Sequence, residues 1–279
     1  MKLQVEHQLL YRYSNEVFLS PHYIYLTPKA SPHQVISDYF LEISPKPNLL
    51  FKNIDAEGNT QQIAYFNQSC NLLSITASFV IESKEHNPYN FVHFPFESEK
   101  IPFEYPEKEH ILLNTYLTSD AITTAIHQFV RPIAAEANWK TMDFLVLLCT
   151  KIKENFKYEI RPEGEANRPE KTLLIKKGSC RDYAVLMITC CKALGIAARF
   201  VSGYCYGSEL HAHELHAWVE AYLPGGGWRG FDPTEGVIVD HQYIALASSA
   251  QPELINPVTG TFRGVATSTL EPTVNIKKL

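Results

Sequence analysis

No stretch of this chain approaches the ~18 consecutive apolar residues that a membrane-spanning helix needs, so no membrane partner is expected. Met1 to Leu10 alternates polar and apolar residues and lacks the apolar block of a secretory signal. Basic excess is also missing. The formal net charge is −5, which argues against a broadly basic nucleic-acid surface. Cysteine is sparse, at six in 279 residues, too few for a disulfide scaffold. Cys190 and Cys191 are adjacent and do not look like a structural pair. Internal repeats and low-complexity tracts are absent. Together these absences describe a soluble protein with free thiols, expected in a reducing cytoplasm. What remains is ordinary globular material: 45% hydrophobic and 20% charged residues, enough for a core. At ~150 residues per domain, the length suggests about two domains.

The pattern divides the chain near residue 115. In the first part, Leu3, Val5, His7, Leu9, Tyr11 and Tyr13 alternate with mostly polar neighbours. That period of two marks a strand with one buried face. Val35, Ser37, Tyr39, Leu41 and Ile43 form a second such series, and Leu73, Ile75, Ala77, Phe79 and Ile81 a third. Asp55 to Asn59 supplies turn chemistry between them. Residues 1–115 are therefore expected to form an antiparallel β-sandwich-like domain, with the Pro- and aromatic-rich stretch 86–117 as a linker across both halves. Residues 116–279 read as a second, α+β unit. One helix is expected from Ser119 or Asp120 to about Arg131, and another from Thr141 through Phe144, Leu148, Ile152 and Phe156.

The informative stretch opens at Gly178-Ser179-Cys180-Arg181-Asp182-Tyr183-Ala184. Ala184 to Leu194 forms helix, and Gly195 stops it. Cys180 therefore lies in a helix's first turn, where unpaired N–H groups and the macrodipole favour a thiolate. Gly178 is expected to allow a sharp turn and a close substrate approach. The bland alternative is a small buried apolar residue, and the other five cysteines keep that reading. Glu214 to Leu223 alternates as a strand, with Leu215, Ala217, Val219, Ala221 and Leu223 on the buried face and His216 beside Trp218 on the other. Pro224 to Gly227 turns the chain back, and Asp232 ends the returning strand. Neighbouring strands lie ~4.8 Å apart, close enough for the carboxylate to meet the imidazole. Cysteine, histidine and aspartate thus supply nucleophile, base and orienting acid.

Other readings compete for the same residues. His211, His213 and His216 form H-x-H-x-x-H near Cys205, a spacing open to zinc. Strand parity opposes it, since His211 and His213 would share one face and His216 the other. Asp182 lies about 200° around the helix from Cys180 and suits a structural role. Asp240 and Glu220 are alternative acids. Neither a cofactor nor a metal is expected.

The residues so assembled resemble a known family. Gly178 to Ala184, Leu194 to Tyr204, His216 to Glu220, Gly227-Trp228 and Phe231 to Thr234 look like the blocks of bacterial transglutaminase-like proteins, in order. Tyr11 to Tyr13, Ser20 to Pro28 and Asp55 to Thr60 are similar to the β-rich region that precedes this core. The tail departs from the family, with no Gly-Arg-Asp-like run near Ser248 to Ala250. The resemblance implies a papain-like α+β core, helices packed on an antiparallel sheet, with Cys180 as nucleophile, His216 as base and Asp232 as orienter. It implies thiol-dependent acyl transfer on peptide or glutamine-type amides of a protein or peptide substrate. Nothing in the sequence resembles a calcium loop or a dedicated amine tunnel. Hydrolysis is therefore the expectation, with glutamine cross-linking second and a non-catalytic peptide-binding module third.

Overall fold

The computed structural model describes residues 1–161, 164–208 and 214–279. The first part is all strand: β1 (Lys2–Leu19), β2 (His22–Ile24), β3 (Gln34–Ser44), β4 (Leu49–Ile54), β5 (Thr60–Tyr65) and β6 (Ser69–Ser83). Helices α1 (Glu107–Leu117), α2 (Thr124–Glu136) and α3 (Thr141–Asn155) follow, then β7 (Lys157–Tyr158), α4 (Pro169–Ile175), β8 (Lys177–Gly178) and α5 (Cys180–Ala193). The chain continues through β9 (Ala198–Cys205), β10 (His216–Leu223), β11 (Gly227–Asp232), β12 (Val237–Ile238) and β13 (Tyr243–Ser249). It ends with β14 (Val258–Thr259), β15 (Phe262–Arg263) and β16 (Ser268–Lys278).

Two antiparallel sheets form the first part, ordered β15-β1-β6-β3 and β14-β2-β5-β4. Along β1, Leu3, Val5, His7 and Leu9 are buried, as their alternation dictates. In β3 the expected face is only half observed. Asp38 has φ +52°, and the register against β6 shifts between Ser37 and Phe40. This bulge reverses the parity. Ile36 points inward before it, and Tyr39, Leu41 and Ile43 after it. Val35 faces out, 61% exposed.

The second part is a five-stranded antiparallel sheet, β12-β11-β10-β9-β13. Helices α2, α3 and α5 cover one face. Val130, Ile133, Leu148, Leu186 and Met187 meet Ala217, Val219, Ala221 and Phe231 in one core. The opposite face of β9 and β13 packs on the sandwich, where Tyr204, Ile244 and Leu246 join Leu3, Val5 and Phe79. Hydrogen bonds cross the same junction: Gln34 Nε2 to the Tyr243 carbonyl at 2.7 Å, and Asn59 Nδ2 to the Ser248 carbonyl at 3.0 Å.

Three segments differ from their sequence pattern. The stretch 86–117 ends in a helix, α1, rather than in linker. Its one buried residue is Leu113, while Ile111 and Leu112 are exposed, so no apolar stripe announces it. Helix α2 starts later than expected and runs through Pro132 to Glu136. Its inward face of Ile126, Val130, Ile133 and Ala134 outweighs the hydrogen bond lost at proline. The tail, expected to belong with residues 116–279, returns instead to the sandwich. β16 pairs with β1 from Leu3↔Lys278 to Tyr13↔Ser268.

Candidate active site

Helix α5 is fixed at its first residue. Ser179 is the N-cap, and Asp182 completes a capping box with it. Asp182 Oδ2 accepts from the Ser179 N–H at 2.7 Å, and Oδ1 accepts from Arg161 Nη1 at 2.6 Å and the Asn167 N–H at 2.6 Å. Burial would raise this carboxyl's pKa, but the Arg161 guanidinium and these donors bring it below the usual value. Gly178 is needed for this cap rather than for a turn, since a Cβ there would lie 2.7 Å from Asp182 Cβ. Cys180 is the first helical residue and is 8% exposed.

Strand β10 starts at His216, beside the start of α5. Its odd face, Ala217 to Leu223, packs under the helices as expected. Its even face is not a solvent face: His216 and Trp218 are each 1% exposed. Trp218 packs with Val201, Cys205 and Tyr243. Its ring crosses Gly203, where a Cβ would lie 2.6 Å from the indole and 2.1 Å from the Ile244 carbonyl oxygen.

His216 Nε2 lies 2.6 Å from Asp232 Oδ2, and Asp232 is fully buried. The carboxylate accepts three further hydrogen bonds. They come from the Tyr243 hydroxyl at 2.8 Å, the Thr234 N–H at 2.8 Å and the Glu235 N–H at 3.3 Å. Burial alone would lower the imidazole's pKa. The Asp232 charge and hydrogen bond, with a hydrogen bond to Cys180, reverse this and raise it to about 10. Burial would raise the Asp232 pKa, and the imidazolium with the surrounding donors lowers it. The structure thus brings Cys180, His216 and Asp232 together.

The competing residues are placed elsewhere. Glu220 pairs with Arg199 at 2.7 Å, and Asp240 accepts from the Gln242 N–H. His211 and His213 lie outside the described residues. Among the described residues, no cluster of three or more His, Cys, Asp or Glu side chains could hold a metal ion. Burial raises the pKa of the other thiols, to about 12 for Cys191 and Cys205 and well above the ordinary value for Cys149 and Cys190.

Tyr243 was not foreseen. It pairs with Cys205 on β9, beyond the start of β10, where His216 faces Gly203. Its hydroxyl can therefore pass the end of β10 and reach Asp232. Strand alternation carries no signal for a contact between non-neighbouring strands.

Comparison with known proteins agrees with this architecture. Residues 127–233 match the Transglutaminase-like superfamily, and residues 3–82 match the Bacterial transglutaminase-like N-terminal region. An uncharacterised protein of Mycobacterium tuberculosis is 26% identical over 274 residues, covering 93% of this chain and 87% of that one. A protein-glutamine gamma-glutamyltransferase of Pseudomonas aeruginosa is 36% identical over 92 residues, 29% of this chain and 14% of that one. The crystal structure of a candidate cysteine protease from Cytophaga hutchinsonii superposes with a TM-score of 0.74 at 20% identity, covering 99% of this chain and 90% of the other. Two successive matches span most of the sequence, and the chain carries a bacterial transglutaminase-like N-terminal region followed by a transglutaminase-like core.

Proposed function

We propose that the protein is a cysteine acyl-transfer enzyme acting on peptide or glutamine-type amides of a protein or peptide substrate. The observation that carries this reading is the buried His216–Asp232 pair at 2.6 Å, in electrostatic contact with a cysteine at a helix start. Cys180 stands at the N-terminal end of α5, next to the imidazole that can exchange its proton. The sulfur attacks the carbonyl carbon, His216 gives its proton to the leaving nitrogen, and a thioester remains. Asp232 holds the ring and stabilises the imidazolium. Water then releases the acid, with His216 as base.

Hydrolysis is the favoured outcome, because it needs only an accessible water. Cross-linking is the second reading, motivated by the similarity to a protein-glutamine gamma-glutamyltransferase over 92 residues; it needs a site that excludes water and admits an amine. Mass spectrometry of a casein-like peptide, with and without a primary amine, separates the outcomes. Cleavage or a 1 Da deamidation shift is expected, abolished in Cys180→Ala. Amine incorporation in place of both would establish cross-linking. Full activity in Cys180→Ala would overturn the assignment.

A further inference from the structure

We propose that the sandwich takes part in the reaction: it grips the outer edge of β13, and β13 in turn holds Asp232 against His216 through the Tyr243 hydroxyl. The proposal rests on the acyl-transfer reading above.

The two oxygens of Asp232 are held differently. Oδ1 accepts from the N–H groups of Thr234 and Glu235, in its own turn. Oδ2 meets the imidazole, and among the described residues its further donor is the Tyr243 hydroxyl at 2.8 Å. Without that hydroxyl, nothing but His216 itself fixes the oxygen that faces the ring. Tyr243 is 6% exposed. Burial and the Asp232 charge raise its pKa, so the hydroxyl keeps its proton and only donates. Tyr243 is a positioning residue, acting through Asp232.

β13 is the last strand of its sheet. Successive backbone groups along a strand point to opposite edges. The Gln242 carbonyl accepts from the Tyr206 N–H, on the β9 side, so Tyr243 and Ala245 turn their backbone groups outward. The register shift between Ala245 and Ala247 inserts one residue, and the outward row resumes at Ser248 and Ala250. The sandwich meets this row at all four residues. Gln34 Nε2 donates to the Tyr243 carbonyl at 2.7 Å and is itself anchored on Ser83 Oγ at 2.8 Å. The Lys29 N–H donates to the Ala245 carbonyl at 2.8 Å. Asn59, fully buried, accepts from the Ser248 N–H at 2.8 Å and donates to the Ser248 carbonyl at 3.0 Å. Glu57 Oε1 accepts from the Ala250 N–H at 2.8 Å. The side chains divide likewise: Ile244 and Leu246 enter the sandwich core, while Tyr243 packs with Trp218. A shift of β13 along its own axis would break these bonds and carry the hydroxyl off Asp232.

Thioester hydrolysis depends most on this hold. The water oxygen bonds to the acyl carbon and its proton passes to His216. The C–S bond then breaks, and its electron pair stays on sulfur. The imidazole must face that water, and Asp232 sets the ring.

4-Nitrophenyl acetate reports both halves of the cycle. The nitrophenolate burst counts folded molecules with a reactive Cys180, and the steady turnover that follows measures hydrolysis of the acetyl-enzyme. Turnover per burst site is expected to fall about tenfold in Tyr243→Phe and about threefold in Gln34→Ala. The double variant should lose no more than Tyr243→Phe alone, because Gln34 acts through Tyr243. Losses that multiply, or unchanged turnover per site in either single variant, would overturn the proposal. A second readout needs no turnover. The His216 ring proton bonded to Asp232 gives a downfield proton NMR signal, which should shift in Tyr243→Phe and shift the same way in Gln34→Ala. An unmoved signal in either variant overturns the proposal. If circular dichroism shows Tyr243→Phe unfolded, Gln34→Ala carries the test: a folded variant with a shifted ring-proton signal supports the proposal, and an unmoved signal overturns it. Cys180→Ala must give no burst. A burst there would reject the Cys180 nucleophile, and the ring-proton signal would still decide whether the sandwich holds Asp232.

Discussion

His216 holds its proton far more tightly than a histidine in water, with a pKa of about 10 against 6.5. Its folded value is raised, so this group stabilises the fold fully below pH 6.5, and that contribution is lost as pH rises towards about 10. The same sign governs catalysis. Acylation that needs an imidazolium should fall through an alkaline limb near pH 10. In Asp232→Asn the charge is gone and the effect of burial remains, so the limb should move down by at least two pH units. The pH profile of acylation by a 4-nitroanilide, read as released nitroaniline, reports this directly, and an unmoved limb would show that Asp232 does not set the proton's affinity. Reactivity follows the same environment. Cys180 should be alkylated by iodoacetamide near neutral pH well before Cys70, Cys149, Cys190, Cys191 and Cys205, whose thiols burial pushes up. Peptide mapping after brief labelling checks it, and faster modification of Cys205 would contradict it.

Among the elements, α5 depends most on a single side chain. Asp182 satisfies the buried N–H of Ser179, anchors Arg161 and holds the loop at Asn167. Removing it loses an N-terminal cap and breaks a pair whose carboxylate is buried. Asp182→Ala should therefore cost about 2–4 kcal/mol, measured by urea unfolding. A change below 1 kcal/mol would show that the cap is dispensable. This part of the molecule was legible because each residue announces its element locally. Gly178-Ser179-Cys180 starts a helix, Gly195 with φ +80° ends it, and the alternation from Leu215 to Leu223 is a strand. The even face of that strand was misjudged for a physical reason. A polar face reads as solvent-facing, yet β10 is a central strand and both of its faces are covered. The bulge at Asp38 and helix α1 escaped for the same kind of reason: a parity change has no residue signature, and a helix burying one leucine has no stripe.

At the scale of the whole molecule, the sandwich and the five-stranded sheet meet over a buried polar pair. His7 Nδ1 and the Tyr204 hydroxyl are 2.8 Å apart, and burial lowers the His7 pKa to about 4. A depressed histidine is neutral in the fold and charged when unfolded below pH 6.5. Its contribution is present above pH 6.5 and lost as pH falls towards about 4, amounting to about 3 kcal/mol over that window. His7→Gln keeps an acceptor without titrating, so its unfolding free energy should be flatter between pH 7 and pH 4. Parallel urea curves for parent and variant at both pH values would refute this. The long-range contacts were the least legible in sequence. Tyr243 reaches Asp232 past the end of an intervening strand, and β16 closes on β1 from the far end of the described chain.

The β1–β16 pairing has a consequence for how the protein is made. A ribosome delivers β1 long before β16, and every residue of the five-stranded sheet emerges between them. Until the last strand arrives, a growing polypeptide carries β1 with one row of backbone groups unsatisfied. That row is a template for another nascent chain. Deleting residues 268–279 would freeze the protein in that condition and uncover the buried Val274 site. Such a truncation should aggregate on expression, as read by light scattering of the soluble fraction, even though it leaves Cys180, His216 and Asp232 untouched. A monodisperse, active truncation would show that the edge needs no closing strand.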